Sequence, residues 1–410
     1  MEPKIMANVI LTIDMITKAA VALFKNSNMF IQNIDTQYDD QFAIDGAKIG
    51  DALRIRYPND YTVRKGTAFS AQDTAEKFTS LKLQTQIGVD VSFSTAERTL
   101  KIEDYSSRIL MPMMNNLAGG VAADVMAGAE TGICNFVSNT DGNGNIISPT
   151  SNTVLKAKAL LEQNSTPQVP RRKLVQGPNT EANLVGTLSG LFNPTPAISE
   201  QYQSGEMKSA LGFDFYMDQT VINHVTGTFS AGGTVNGAGQ TGSTVTVNAI
   251  TGTLAAGDII TIDGVNSVNR VTKQSNAKVR QFVVTAAVAT GGTSIPVYPA
   301  IIPSSGGVAV QYQTVDVSPA NAAQVRLVSL PSEVYAKNIA YAPEAITMAT
   351  ADLVIPKGVH EAARKEYNGI SMRMVTAYQI GTDQLGTRLD VIYGFTYLRP
   401  EWGVILADVP

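Results

Sequence analysis

The run Leu81-Lys82-Leu83-Gln84-Thr85-Gln86-Ile87-Gly88-Val89-Asp90-Val91-Ser92-Phe93 decides how this chain is read. Leu81, Leu83, Ile87, Val89, Val91 and Phe93 are apolar at alternate positions, and Lys82, Gln84, Gln86, Asp90 and Ser92 fall between them. Period two places each set on one face of a strand. At about 3.3 Å per residue such a run spans roughly 43 Å, against a usual strand of about 5–6 residues. Upstream, Leu53, Ile55 and Tyr57 alternate with Arg54 and Arg56, and the connection from Arg64 to Lys77 is polar, with Lys65, Gly66, Asp73 and Glu76. The pattern predicts an extended hairpin over residues 46–93 with one apolar face. A lone two-stranded hairpin is marginal in water, and no third long strand adjoins it in sequence. Its apolar face, with Leu81, Leu83, Ile87 and Val89, is expected to lie on a second copy of the chain. Arg54 and Arg56 are expected in the same inter-subunit contact, and the polar tip, Arg64, Lys65, Asp73, Glu76 and Lys77, would supply rim charges that set register more than affinity.

A long helix is predicted next. Ser94 and Glu97 have the spacing of a capping box. Leu110, Met113, Leu117, Val121, Val125, Ala129 and Ile133 then recur every three or four residues, one stripe along about thirty residues and some 45 Å. Pro112 is expected in the first turns, where its missing donor costs least. Gly119-Gly120 requires something packed closely against it. Upstream of the hairpin, Ile5 to Phe24 reads as an amphipathic helix with Ile13, Ile16, Ala20 and Leu23 on one side. Asp14 and Lys18 interrupt it too early for a signal peptide.

Beyond a polar loop at 139–151, a short helix is expected over 153–163, followed by strand, turn and helix through Phe192. The composition then shifts. From Thr226 to about Gln313 the chain is rich in Gly, Thr, Val and Ser, with alternating segments at Ser243–Asn248, Asp258–Asp263, Val279–Thr285, Ser294–Tyr298 and Val308–Gln313. That spacing predicts a small all-β barrel or sandwich. Helix-bearing texture resumes after Ser318. Ile370, Met372, Met374 and Thr376 mark a strand; Leu389 and Val391 mark another, with Tyr393 read as slipped by one; Gly381–Gly386 turns between them. A last strand is expected at Val404–Leu406. The fold class is α+β, with a small all-β module inserted at 226–317.

Composition narrows the function classes. Of 410 residues, 44% are hydrophobic but only 16% charged, against roughly 25% charged in ordinary soluble domains. Interface cores are depleted in charge, so a subunit buried against others fits; a Thr/Gly-rich secreted β protein fits equally on composition alone. The net charge is −4 and the densest basic cluster is Arg171-Arg172-Lys173, short of the concentrated basic face of a nucleic-acid reader. The single Cys134 excludes an internal disulfide framework and fits a reducing compartment. No run is apolar over the ~20 residues a membrane span needs.

Candidate chemistry fails residue by residue. The histidines are His224 and His360. His360-Glu361-Ala362-Ala363-Arg364 carries arginine where a zinc-protease helix needs its second histidine, and reads as a surface helix. Asp141-Gly142-Asn143-Gly144-Asn145 opens like a calcium loop, but Ile146 replaces the glycine and Asn152 the bidentate glutamate, leaving a turn. The serine of Gly186-Thr187-Leu188-Ser189-Gly190 is one place off the hydrolase elbow. Cys134 reads as a buried small hydrophobe, and Asp258 and Asp263 as ordinary turn acids. No catalytic, metal or cofactor site is expected.

The order of elements resembles the Hong Kong 97-type capsid fold, and more narrowly the coat-protein family of the Salmonella short-tailed phage, which carries an inserted β-barrel domain. Ile102-Glu103-Asp104-Tyr105-Ser106-Ser107-Arg108-Ile109, then Pro112, Leu117-Ala118, Val121 and Asp124, look like that family's spine start. Gly212-Phe213-Asp214-Phe215-Tyr216 resembles the segment before the insertion. Gly257-Asp258-Ile259-Ile260 and Gln281-Phe282-Val283-Val284 are similar to strands within it. The fullest match runs through Asn338-Ile339-Ala340-Tyr341, Gly369-Ile370-Ser371-Met372-Arg373, Arg388-Leu389-Asp390-Val391-Ile392-Tyr393-Gly394 and Arg399-Pro400-Glu401.

The resemblance implies an N-terminal arm (1–45), an E-loop hairpin (46–93), a spine helix (94–138), an axial domain (139–225 and 318–345), the inserted domain (226–317) and a peripheral domain of return strands (346–410). Leu110, Met113, Leu117, Val121 and Val125 would form the spine core, and Arg373, Arg388, Asp390 and Tyr393 would mark the return strands. It further implies a major capsid protein forming hexamers and pentamers of an icosahedral shell, assembled in the host cytoplasm with a scaffolding protein and a portal. The shell would enclose double-stranded DNA without reading its sequence, and mild acidity suits a wall that must not trap phosphate. The alternative is a surface adhesin, or a phage decoration or tail protein, binding through 226–317.

Overall fold

The computed structural model describes residues 13–39, 52–56, 61, 66–67, 78–83, 85–94, 111–188, 208–304, 310–367 and 369–410. The fold is α+β and rich in strands. It divides into two compact units, one of residues 1–55, 80–122 and 347–396, the other of 56–79, 123–346 and 397–410.

The first unit is built on a six-stranded sheet ordered Asp35–Asp39, Ile346–Ala351, Gln384–Tyr397, Ile370–Gln379, Glu361–Tyr367, with Thr85–Ser94 also paired to Gln384–Tyr397. The helix Ile13–Ser27 lies on Glu361–Tyr367 and Ile370–Gln379. It buries Thr17, Ala20, Val21 and Phe24, with the Thr17 hydroxyl 3.7 Å from Met374 Sδ. The expected face, through Ile16, Ala20 and Leu23, is therefore turned by one position. Phe24, the bulkiest apolar side chain in this stretch, takes the inward place and leaves Ile16 and Leu23 half-buried. The side chain of Ile13 lies outside the described residues.

The predicted hairpin needs the largest correction. Ala52–Arg56 does pair with Phe78–Lys82, as a two-stranded sheet. The run from Leu81 to Phe93, however, is two strands, Phe78–Lys82 and Thr85–Ser94. The second finds its partner inside the same chain, in continuous antiparallel register from Ser94 opposite Gln384 to Thr85 opposite Tyr393. Arg64, Lys65, Asp73, Glu76 and Lys77 lie outside the described residues, as do the side chains of Arg54 and Arg56.

Of the long helix, Met111–Gly132 is described; the stretch from Thr95 to Leu110 lies outside the described residues. Ser94 is the last residue of the strand Thr85–Ser94, and its expected capping partner Glu97 lies outside the described residues. Pro112 stands in the first turn, as expected. Met113, Leu117, Val121, Val125, Ala129 and Ile133 are all buried, so the stripe is real. Gly120 is exposed, and a Cβ there would meet only Ile87 Cδ1 at 3.9 Å, an ordinary contact, so the close packing expected of the glycine pair is not found at Gly120.

The second unit holds a seven-stranded sheet ordered Phe136–Val137, Gly403–Asp408, Val334–Tyr341, Arg172–Gln176, Phe213–Met217, Ser209–Ala210, with Asn223–Val225 also on Val334–Tyr341. Every residue of Gly403–Asp408 is buried, the signature of an interior strand covered on both faces. It sits in this sheet, apart from the return strands with which it was grouped. Helices Ser151–Gln163 and Pro178–Leu188 flank the sheet, and Val154, Leu161, Leu174, Leu184, Phe213, Val404 and Leu406 share one core. The polar loop becomes a turn closed by Asp141, whose Oδ1 accepts the backbone N–H of Asn143 (2.8 Å) and Asn145 (2.9 Å). Bonds from the Asn145 side chain and these amides hold its carboxyl below the usual range.

The Gly/Thr-rich stretch folds as a five-stranded sheet ordered Gly242–Thr246, Ser294–Ile301, Ser275–Val284, Ile259–Val268, Val325–Leu327. Its core, including Phe229, Val245, Ile250, Ile260, Ile262, Phe282, Val284, Ile295 and Val325, comes entirely from residues 229–325. The expected fifth strand at 308–313 is instead a 3-10 turn at Val310–Tyr312, and the sheet is completed by Val325–Leu327. The chain enters and leaves this module side by side: Thr226 N–H donates to Glu333 O (2.9 Å), and Ser332 N–H to Gly227 O (3.0 Å).

After Ser318 the described chain is strands and short 3-10 turns, so the helical texture expected there is overturned. The His360–Arg364 segment, read as a surface helix, runs into the sheet strand Glu361–Tyr367, whose partner is Ile370–Gln379. Tyr393 is not slipped. It continues the odd-numbered set of Leu389 and Val391 and is fully buried.

Candidate functional site

Three groups of side chains stand out. The first is the surface offered by Thr85–Ser94. Thr85, Ile87, Val89 and Val91 are half-buried, while Gln86, Gly88, Asp90 and Ser92 are exposed. Among the described residues the strand pairs only with Gln384–Tyr397. Leu81 and Leu83, expected to meet a second copy, do not. Both are buried, clustered with Ala349, Ala351, Leu353 and Ile392 of their own unit. The strand Phe78–Lys82 ends ahead of Leu83, and Ile87 and Val89 remain as the half-covered pair.

The second group is centred on Asp390, which is wholly buried. Arg373 Nη2 lies 2.6 Å from its Oδ2 and Arg388 Nε 2.6 Å from its Oδ1. Arg373 Nη1 also donates to Val354 O at 2.6 Å. Asp390 sits mid-strand between its cross-strand partners Gly88 and Arg373. The hydrogen bond to Asp390 raises the pKa of the exposed Arg388 guanidinium still further. A buried carboxylate held by two guanidiniums is a sheet-locking element with no reactive geometry, since both oxygens are occupied.

The third group was not foreseen. His224 Nδ1 lies 3.2 Å from Glu130 Oε1, and Nε2 lies 2.9 Å from Asp258 Oδ1. Lys337 Nζ is 3.7 Å from Glu130 Oε1 and 3.3 Å from Gly257 O. Asp258 also accepts the backbone N–H of Gly227 (3.1 Å) and Ala255 (2.7 Å) through Oδ2. The ring of Tyr335 packs 5.3 Å from that of His224. With a carboxylate at each ring nitrogen, the imidazolium, which donates from both, is the form that satisfies the site. Burial opposes its charge, but the bonds to Asp258 and Glu130 prevail and raise the His224 pKa. Burial pulls the Lys337 ammonium down to about 8, with Glu130 and Asp258 restoring part of the loss. Burial would raise the Glu130 carboxyl, yet its contacts with His224 and Lys337 lower it.

The cluster joins the end of the long helix to the paired strands at the root of the β module and to the turn Ala255–Asp258 that precedes the module strand Ile259–Val268. Gly257, at φ +93°, is required there: a Cβ would come 3.0 Å from Lys337 Nζ and 3.2 Å from His224 Cε1. Asp258 is therefore a buried hub rather than an ordinary turn acid. A lysine inside the apolar strand Val334–Tyr341 was the one local signal; the partners come from three distant segments. Among the described residues no group of His, Cys, Asp and Glu converges as metal ligands.

A family model described as "P22 coat protein - gene protein 5" matches residues 10–407. No curated protein matches the chain in sequence. Among solved structures it is similar to one from Mycobacterium phage Che8, at 11% identity over 92% of this chain and 90% of that one, with a TM-score of 0.43. The capsid of the cyanophage P-SCSP1u gives 10% identity over 93% and 88%, with a TM-score of 0.46. The mature capsid of bacteriophage PhiM1 gives 9% over 92% and 86%, with a TM-score of 0.42. Likenesses this loose carry no weight for this chain; the family match does, because it spans both units and the β module. It also sets aside the adhesin and decoration-protein alternative, which rested on that module alone. The chain belongs to the P22 coat protein family and is the major capsid protein of a tailed bacteriophage.

Proposed function

We propose that copies of this chain close into hexamers and pentamers of an icosahedral shell around double-stranded DNA. Head-to-tail contacts form rings when the rotation between copies fits five or six. The observation that carries this reading is the half-covered apolar row Ile87, Val89 and Val91, on a strand whose second edge pairs with no described strand. The strand Thr85–Ser94 then meets a neighbouring copy with that row and the hairpin reaches it with its polar connection, while Leu81 and Leu83 anchor the hairpin's base in its own unit. Shell strength comes from summed apolar contact, since single exposed ion pairs contribute about 0–1 kcal/mol.

The layout follows the Hong Kong 97 type: N-terminal arm, E-loop, spine helix, axial and peripheral parts. The β module is an inserted domain, supported by its self-contained core and its adjoining ends, and reaching Leu327 instead of stopping at 317. A scaffolding protein and a portal take part in assembly in the host cytoplasm, and the shell encloses the genome without sequence-specific contacts. Co-expression with the neighbouring reading frames followed by electron microscopy tests this. Closed shells are the expected result; protein that stays monomeric even with its scaffold would overturn it.

A further inference from the structure

We propose that the buried cluster around His224 is a proton-operated latch: when the ring gives up a proton, Glu130 leaves it and frees the end of the long helix from the root of the β module, while Asp258 stays. His224 Nδ1 lies 3.2 Å from Glu130 Oε1, and Nε2 lies 2.9 Å from Asp258 Oδ1. An ionised carboxylate only accepts, so both contacts are hydrogen bonds only while both ring nitrogens carry a proton. The neutral ring has one N–H. The carboxylate that it does not serve then faces a nitrogen lone pair at hydrogen-bond distance, with no proton between two acceptors.

The surroundings decide which carboxylate leaves. Asp258 has no exposure, and its Oδ2 accepts the backbone N–H of Gly227 at 3.1 Å and of Ala255 at 2.7 Å. Pulling it away would strand two amides as well as a buried charge. The Glu130 side chain is 29% exposed, stands near the end of the helix Met111–Gly132, and meets Lys337 Nζ at 3.7 Å. A rotation of that side chain carries its carboxylate into water, where solvation replaces what it loses. The single proton therefore stays on Nε2, toward Asp258, and Nδ1 turns its lone pair on Glu130.

The other groups facing the ring do not reverse this choice. Lys337, from the strand Val334–Tyr341, is 1% exposed and also reaches Gly257 O at 3.3 Å. Burial pulls its ammonium down to about 8, so alkaline pH weakens the second cation of Glu130 as well. Tyr335, whose ring packs 5.3 Å from that of His224, is held by burial far above its ordinary pKa and stays neutral. Glu333, on the approach to that strand, has its two oxygens on the backbone N–H of Ile146 (2.6 Å) and Leu330 (2.9 Å). Burial opposes the charge on His224, but its two carboxylates prevail and raise its pKa. The latch is therefore closed below the unfolded value of about 6.5 and opens as pH rises through the higher folded value.

The test labels the carboxyl groups of the full-length protein with a carbodiimide and an amine over a series from pH 6 to pH 8.5, and reads each site by mass spectrometry. An added unstructured peptide carrying one glutamate corrects for the pH dependence of the reagent. Labelling of Glu130 is expected to rise severalfold across the series, while Asp258 stays unlabelled. In His224→Gln, whose amide does not titrate, only the part owed to Lys337, centred near pH 8, should remain. A second readout serves if that variant fails to fold. The chain has two histidines, so ¹⁵N-histidine NMR, assigned with His360→Gln, should show the neutral His224 ring protonated on Nε2. Flat labelling of Glu130, labelling of Asp258 in its place, a neutral ring protonated on Nδ1, or an undiminished rise in His224→Gln would each overturn the proposal.

Discussion

Gly88 is fitted against Asp390 so closely that a Cβ on the glycine would lie 2.4 Å from Asp390 Oδ1 and 2.6 Å from Leu389 O. The carboxylate that gathers Arg373 and Arg388 thus occupies the space a side chain on the neighbouring strand would need. Gly88→Ala should destabilise the protein by roughly 1–3 kcal/mol, as overpacking does. Gly142→Ala, with nothing within 4 Å of the added Cβ, should change stability by no more than about 0.5 kcal/mol. Urea denaturation midpoints of the two variants check this; equal midpoints would show that the sheet yields at Gly88.

The two arginines on Asp390 should differ sharply in importance. The Arg373 side chain is 16% exposed and Arg388 54%, around a carboxylate with no exposure. Arg373→Ala strips the buried acid of its inner partner and should cost about 3–5 kcal/mol. Arg388→Ala removes a solvent-screened partner and should cost about 0–1 kcal/mol. Thermal melting of both variants decides the order, and a larger loss for Arg388→Ala would refute it.

Stability around His224 should depend on pH with a definite sign. Its folded pKa lies above the unfolded value of about 6.5, so folding favours the protonated ring. That contribution is complete below pH 6.5 and disappears as pH rises through the folded value. Lys337 runs the other way. Its folded pKa of about 8 lies below the unfolded ~10.4, so between those values rising pH relieves a penalty. His224→Gln should therefore cost more at pH 6, about 3 kcal/mol for a broken buried pair, than at pH 8.5. Denaturant titrations at both pH values measure the difference; a larger cost at pH 8.5 would contradict the double carboxylate pairing.

The two ends of the hairpin run should separate folding from assembly. Leu81→Ala empties a buried position of its own unit and should lower subunit stability by about 2–5 kcal/mol. Val89→Thr, on the half-covered row, should cost the subunit less than about 1.5 kcal/mol while reducing the yield of closed shells. Melting curves paired with particle counts by electron microscopy read both quantities. Unchanged shell yield for Val89→Thr would remove this row from the contact between copies.

What could be read from the sequence was whatever repeats locally. The helix stripe from Met113 to Ile133 and the alternation around Ile87 carry their own periodicity, and both stand. Pairing across long separations does not announce itself, so Thr85–Ser94 was matched to its sequence neighbour although it pairs with Gln384–Tyr397. His360–Arg364 reads as helix from its likeness to a zinc-protease motif, because nothing local announces the strand at 370–379 that pairs with 361–367. The charged cluster was illegible for the same reason. Glu130, His224, Asp258 and Lys337 are each ordinary among their immediate neighbours and acquire meaning only when four segments converge.

Because Thr226 and Gly227 bond directly to Glu333 and Ser332, the hundred or so residues between them begin and end at nearly one spot. Excising that span and closing the gap with a tight turn would leave every ladder of the parent sheet intact. The scar would be electrostatic. Without Asp258, His224 would keep one carboxylate instead of two, and Lys337 would face Glu130 alone. A lineage that shed or acquired the module would therefore be expected to alter positions 224 and 337 in the same step, leaving a record of the event outside the transplanted segment.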